Sequence, residues 1–340
     1  MNKYFLIFII FMFHNHLYPS IEKYNSDLKS AIFKNNLEAV QQALKNGANP
    51  NLIIDEFWQN NALTFAATLN YKEIVQELLN AKANPNIQNK NGTTALMYAA
   101  VKNYKEIVQA LLNAKANPNI QNENGATALI CAAEMNCKEI VQALLNAKAN
   151  VNAQDNTGRT ALICAANNNY KEIVQALLNA NANVNAQDNT GRTALICAAN
   201  NNYKEIVQAL LNANANVNTQ DNTGRTILET VNHPEIAQLL ILNGTTIPRI
   251  FKTQNTDLVK KTLKYVSNLA NEIIIKNFFN SRNLSDLTLK KHYEDFLDGY
   301  PEALEEILLN PGYPNKFKNN FKPKFIEEVR ENKKQREQVL

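Results

Sequence analysis

The chain has 340 residues, 45% of them hydrophobic and 19% charged, with a formal net charge of +4. That length supports one large domain or two ordinary ones, and the apolar content excludes a disordered chain. The near-balanced charge excludes a dedicated nucleic-acid binder, and no apolar run reaches the roughly 18 residues of a membrane-spanning helix. Asn is unusually abundant, at 56 residues. With frequent Lys and Ile, that abundance looks like translation of an AT-rich genome and says little about chemistry.

Residues 1–20 read as a secretory signal peptide. Lys3 precedes ten unbroken apolar residues, Tyr4 to Phe13, and a short polar stretch that ends at Ser20. This is the charged n-region and apolar h-region of an export leader. A buried N-terminal strand or helix is the alternative. Ser20 is small enough to precede a cleavage point, but Tyr18 is a poor residue two places earlier, so the segment also reads as a retained anchor. The expected location is therefore exported, periplasmic or secreted, with a host cytosol as a further destination.

A period of 33 governs the next two-thirds of the chain. The segment Asn91–Ala100 recurs at Asn124–Ala133, Thr157–Ala166 and Thr190–Ala199, with a decayed copy from Thr223. Gly92, Gly125, Gly158, Gly191 and Gly224 fall 33 residues apart and hold one structural position. Each Asn-x-Gly or equivalent segment is a turn signal, with Gly supplying the positive φ. After each block comes Lys-Glu-Ile-Val-Gln-x-Leu-Leu-Asn-Ala, whose apolar residues (Ile107, Val108, Leu111, Leu112) form a helical stripe. Thr94 to Lys102 is expected to form a shorter helix, with Ala99-Ala100 allowing close approach of its neighbour.

These motifs resemble the ankyrin repeat, a β-turn and two antiparallel helices. Its Thr-Pro-Leu-His-x-Ala-Ala signature stands here as Thr94-Ala-Leu-Met-Tyr-Ala-Ala100 and, three times, as Thr-Ala-Leu-Ile-Cys-Ala-Ala. The resemblance implies an all-α ankyrin-repeat solenoid of about seven repeats (27–51, 57–86, 91–119, 124–152, 157–185, 190–218 and 223–245). There are departures. The Pro is always Ala and the His is Met or Ile, and the glycine that ends the second helix is Lys82, Lys115, Lys148, Asn181 or Asn214. Lys tolerates the left-handed conformation poorly, so some loss of stability is expected. The first repeat carries the polar run Lys34–Glu38 of an N-terminal cap. The second is preceded by Leu52–Asn61, two residues longer than later turns and holding the only Trp, Trp58. The seventh is shortened and ends in Leu239–Leu242, too apolar for an outer face.

Residues 246–340 lack the period and are expected to form a small α-helical domain that caps Leu239–Leu242. Helices are expected at Asp257–Phe279, from Ser285 to Leu297, from Pro301 through Leu309, and from Pro323. This segment has 17 Lys and Arg against 13 Asp and Glu, so it holds the whole net charge of +4. Tyr300–Leu308 has a faint likeness to the opening helix of an F-box, against the ordinary reading of a Pro-initiated amphipathic helix. Lys316–Phe325 interleaves cations and aromatics, which suits single-stranded nucleic acid or an anionic membrane. The plainer reading is a linker that pins its phenylalanines to the helical domain.

Little points to catalysis. His14, His16, His233 and His292 are scattered and have no ligand-spaced partners, and there is no phosphate loop or nucleophile elbow. No catalytic residue, metal or cofactor is expected. Cys131, Cys164 and Cys197 stand one repeat apart, about 10 Å in a stack of helices, beyond the roughly 7 Å that a disulfide spans. They and Cys137 are expected to be unpaired thiols. Such thiols suit a reducing compartment, in tension with an export leader unless the chain reaches a host cytosol or the thiols are too buried to react.

By resemblance, a partner protein contacts the turn residues around each Gly and the two residues after each Ala-Ala. Those are Trp58, Lys90, Thr93, Val101, Lys102, Glu134, Met135, Arg159, Asn167, Asn168, Arg192, Asn200, Asn201 and Arg225. Arg159, Arg192 and Arg225 are expected on one line, where they either read an acidic partner segment or bridge neighbouring turns through Asp155, Asp188 and Asp221. Val151–Asn183 and Val184–Asn216 are identical over all 33 residues, so the distinctive contacts are expected near Trp58, Lys90–Lys102 and Glu134–Met135. The expected function is a monomeric, non-catalytic protein-binding scaffold, similar to exported ankyrin proteins of host-associated bacteria. An adaptor with a separate activity in 246–340 and a periplasmic structural scaffold are the alternatives.

Overall fold

The computed structural model describes residues 20–231 and 233–243. The expected leader and the expected C-terminal helical domain, 246–340, lie outside the described residues. The described residues divide into two compact units, with the boundary between residues 189 and 190.

The first unit is a succession of helix pairs. Helices α1 (residues 20–33) and α2 (Leu37–Lys45) form the first. A hairpin of β1 (Ile53–Asp55) and β2 (Asn60–Asn61) leads to α3 (Ala62–Thr68) and α4 (Lys72–Asn80). Then come α5 (Ala95–Val101) with α6 (Lys105–Asn113), α7 (Ala128–Glu134) with α8 (Lys138–Asn146), and α9 (Ala161–Asn167) with α10 (Lys171–Asn179). The second unit holds α11 (Ala194–Asn200), α12 (Lys204–Asn212), the four-residue α13 (Ile227–Thr230) and α14 (Pro234–Leu242). Among the described residues this is the expected all-α solenoid of paired helices. Helix α1 is already formed at residue 20, ahead of Asp27, where the first repeat was expected to open. Nothing between Ser20 and Lys34 breaks a helix, and Leu28, Ala31 and Ile32 bury one face of it.

Local chemistry sets each boundary. Thr94, Thr127 and Thr160 have extended backbones, and each hydroxyl accepts the amide N–H three residues on, at 3.3–3.4 Å. Asn61 caps α3 in the same way at 2.8 Å, and such caps contribute about 1 kcal/mol each. Asn70, Asn103, Asn136 and Asn169 turn the chain between paired helices at φ 58–62°. Second helices end on the left-handed residues Lys82, Lys115, Lys148 and Asn181, at φ 60–66°, as the missing glycines led one to expect.

Asparagine is more than a mark of base composition. The side-chain oxygens of Asn51, Asn86, Asn119 and Asn152 each accept the backbone N–H of Asn84, Asn117, Asn150 and Asn183 respectively, at 2.7 Å. These bonds tie each repeat of the first unit to the next. Asn offers a carbonyl oxygen that mimics the backbone and tolerates positive φ, so one residue type serves both tasks.

First helices stack on first helices (α3, α5, α7, α9) and second on second (α2, α4, α6, α8, α10). Ala99-Ala100 and Ala132-Ala133 are fully buried where first helices meet, and Ile107, Val108 and Leu111 supply the apolar side of α6. Truncating such a leucine to alanine costs about 2–5 kcal/mol. In the second unit α11 packs on α12 and α13, and α12 on α14, where Ile236, Ala237 and Leu240 are buried.

Candidate functional site

The turns between helix pairs project as fingers, each built on one side chain. Asn89 accepts the backbone N–H of Asn91 and Thr93 on its amide oxygen at 3.1 and 2.9 Å, and Asn122 accepts those of Asn124 and Ala126. The tip glycines then take φ of 70–77° in the first unit. Fingers are stitched together by backbone bonds: Lys90 N–H donates to the Trp58 carbonyl, Glu123 to Asn91, Asn156 to Asn124 and Asn189 to Thr157, at 2.9–3.0 Å. The amides of Gln88, Gln121 and Gln154 each donate to the Gly carbonyl of their own finger and to the next Gln carbonyl. The fingers are therefore a hydrogen-bonded row rather than loose loops.

The arginines brace rather than bridge. In the fifth finger Asp155 replaces the pivot Asn, and its buried carboxylate accepts from Thr157 N–H and Oγ1 and from Arg159 N–H and Nε. Arg159 Nη2 lies 2.9 Å from Asp155 and Nη1 lies 3.1 Å from Glu134, at the end of α7. In the second unit Arg225 makes the same i,i+4 pair with Asp221 at 3.0 Å. Each Asp–Arg pair is internal to its finger, not a link between neighbouring tips, because the guanidinium folds back on the pivot four residues earlier; Arg159 also reaches Glu134 of the preceding repeat. The chain's own repeats agree: Asp155, Asp188 and Asp221 are each followed four residues on by Arg, whereas Asn89 and Asn122 are followed by Thr93 and Ala126. Burial raises the Asp155 carboxyl, but the Thr157 hydroxyl and the Arg159 N–H and guanidinium outweigh it and hold it below its ordinary value. Asp221 is lowered to about 2, where burial is again overcome by Thr223 and Arg225.

The second finger is of another kind. Its two extra residues make the β1–β2 hairpin, closed by Gln59 at φ 57° in place of a glycine. Asp55 accepts the N–H groups of Phe57 and Trp58 and the amide of Asn60. Asn89 donates to Asn60 and to the Tyr98 hydroxyl, so the hairpin is clamped to the following repeat. Phe57 is 71% exposed and Trp58 45%, with ring centroids 4.8 Å apart, edge to face. The Lys90 ammonium stands 6.0 Å from the Phe57 centroid. Sequence reasoning singled out Trp58 and Lys90, which the structure brings together. It missed Phe57, although the neighbouring Trp in an inserted loop was a usable signal.

The other candidates fall on the same kind of surface. Thr93 and Val101 are half-buried, and Lys102 is exposed as the C-cap of α5. Glu134 is tied to Arg159, and Met135 beside it is 50% exposed. Asn167 is exposed, and Asn168 donates to the Cys164 carbonyl at 2.9 Å. In the second unit Arg192 is exposed, Asn200 accepts from the Thr230 hydroxyl, and Asn201 donates to the Cys197 carbonyl. The four cysteines form no disulfide. Burial pushes the Cys131 thiol up to about 11 and Cys164 up to about 12, which makes both poor nucleophiles. Among the described residues no group of three His, Cys, Asp or Glu stands where it could hold a metal, and no helix is long and apolar enough to cross a membrane.

Comparison with known proteins agrees with this geometry. A family model described as ankyrin repeats (3 copies) matches residues 28–122, 104–188 and 180–250. A crystal structure of the ankyrin repeat domain of Bcl-3, titled a unique member of the IkappaB protein family, is similar at 28% identity and a TM-score of 0.58. That match covers 63% of this chain and 97% of the other. No curated protein sequence matches.

Proposed function

The chain belongs to the ankyrin-repeat family, and from that premise we propose that it is a non-catalytic scaffold that binds a partner protein on the face made by its fingers and first helices. The observation that carries this reading is where the chain's own repeats differ. Along the second helices the exposed residues are constant: Lys72, Lys105, Lys138, Lys171 and Lys204 recur with Glu, Gln and Asn at fixed offsets. On the other face the finger residues change from Lys90 to Glu123 to Asn156. The pair after the alanines changes from Val101-Lys102 to Glu134-Met135 to Asn167-Asn168. Both faces meet solvent, so exposure alone does not explain the contrast. A surface shaped for contact does.

The identity of the fifth and sixth repeats supports placing the discriminating contacts in repeats two to four. In this reading the chain acts as a monomer, its partner offers an acidic segment, and residues 1–20 direct export. The leader pattern and the AT-rich composition support a host-directed role. The test is a crosslinked pull-down with the full chain from host-cell lysate and from bacterial envelope extract. A saturable protein should be lost with Lys102→Glu and Met135→Glu and kept with Gln109→Ala on the constant face. Capture lost only with Gln109→Ala refutes the placement, and capture from envelope extract alone refutes the host-directed role.

A further inference from the structure

Within the first unit the variable face changes character along the chain. The fifth repeat presents Asn and the ion-paired Arg159, whereas the first three present rings together with Lys90 and Lys102. Phe33, 51% exposed, packs edge to face on Phe65 with centroids 5.0 Å apart. Leu69, 44% exposed, takes in its repeat the place that Lys102 takes in the next, each followed by a left-handed Asn. Trp58 takes the tip place of Asn91, since both carbonyls accept the N–H of the following finger.

We propose that the hairpin of the second finger, with the third finger and the ends of α3 and α5, is the principal docking site, and that its occupant is a peptide segment carrying both acidic and large apolar side chains. This deepens the scaffold reading and rests on it. The hairpin holds two rings in solvent on a rigid support: the chain from Asp55 through Asn60 and Asn89 to Tyr98 is hydrogen-bonded throughout. A preorganised aromatic pair loses little freedom when it is covered, which is what a binding hot spot requires. The charge is also specific. Among the described residues Lys90 and Lys102 make no ion pair, whereas Arg159 and Arg225 are neutralised by their own carboxylates. On this face the cations open to a partner's carboxylates are thus the lysines beside the rings rather than Arg159 and Arg225.

Lysines and stacked rings also suit single-stranded RNA or an anionic membrane. Carboxylates stand on both sides of this site, however: Glu56 before Phe57, 3.7 Å from the Lys29 ammonium but with its side chain 91% exposed, and the exposed Glu123 on the next finger. Glu123 repels a continuous row of phosphates and the Lys29–Glu56 pair offers it no net charge, while a peptide with a few discrete carboxylates can place them on Lys90 and Lys102 and clear Glu123.

Trp58 is the chain's single tryptophan, so its emission reports on this site alone. The experiment pans a random dodecamer display library against the full chain, then titrates synthetic winners while following that emission. Enriched peptides should carry net negative charge with Phe, Trp or Leu, and should move the emission to shorter wavelength. Phe57→Ala and Lys90→Glu should each weaken binding about ten-fold or more, with Lys90→Arg close to wild type and thermal melting unchanged. Neutral or basic winners, or an unmoved emission, overturn the proposal. If winners are lost only with Asn167→Ala and Asn168→Ala, this placement fails and the scaffold reading stands. If no peptide is enriched, the proposal fails while the scaffold reading stands or falls by the pull-down, and a shift with phosphatidylserine vesicles or poly-U RNA then assigns the site to lipid or nucleic acid.

Discussion

Gly125 and Gly224 hold the same place in their fingers, at φ +72° and +78°, yet alanine should be tolerated very differently at the two. The left-handed backbone costs an alanine about 1–2 kcal/mol at either position. A Cβ on Gly125 would also stand 2.7 Å from Asn156 N and 2.5 Å from its Oδ1, while one on Gly224 meets nothing within 4 Å among the described residues. The next finger must therefore retreat, and it hangs there by Asn156 N–H on the Asn124 carbonyl and Asn156 Nδ2 on the Glu123 carbonyl. Two such bonds are worth about 0.5–1.5 kcal/mol each. Gly125→Ala should thus cost about 2–5 kcal/mol against about 1–2 for Gly224→Ala. Repeat arrays can unfold in parts, so urea denaturation is paired with amide exchange at Asn156. Gly125→Ala should strip protection from Asn156, and Gly224→Ala should leave it intact. Equal losses of stability with Asn156 still protected would refute the finger-to-finger argument.

Three further outcomes follow from single side chains. Lys115→Gly removes a Cβ from a left-handed helix end at φ 62°, and should raise stability by about 0.5–1 kcal/mol in urea denaturation. Asp221 is held near 2 when folded, below the unfolded value of about 3.9. Its contribution is therefore complete above about pH 4 and fades as pH falls towards 2, so the deficit of Asp221→Asn in urea midpoint should be present at pH 6 and close at pH 2. The raised Cys131 and Cys164 thiols should react with iodoacetamide at pH 8 more slowly than in urea, by about 100-fold and about 1,000-fold respectively, and rates that match would refute their burial.

Most of the architecture was legible because it repeats. Five glycines at one spacing, a threonine before the Ala-Leu of four first helices and the Ile-Val-x-x-Leu stripe define turn, cap and buried face without reference to anything distant. The site was only partly legible. Arg159 was readable as a partner of Asp155, four residues away. Its second partner, Glu134, is 25 residues earlier and is brought near only when α7 stacks on the following repeat. The brace was expected between fingers and lies within them, a difference of side-chain direction that spacing does not encode. Asparagine was discounted as base composition because its role depends on backbone geometry: left-handed φ at Asn103 and Asn136, and bonds to the next repeat from Asn86 and Asn119. Phe57 was overlooked because residue order shows an inserted loop beside Trp58 but not that the hairpin turns the Phe57 ring outwards.

The central claim, that the variable face of the first unit is the binding surface, is tested most directly by site-specific photocrosslinking. The full chain carries benzoylphenylalanine at position 102 on the variable face, or at position 109 on the constant face, and is irradiated in the extract from which a partner is captured. The expected result is one saturable adduct from position 102 and none from position 109. An adduct from position 109, with position 102 silent, would contradict the claim.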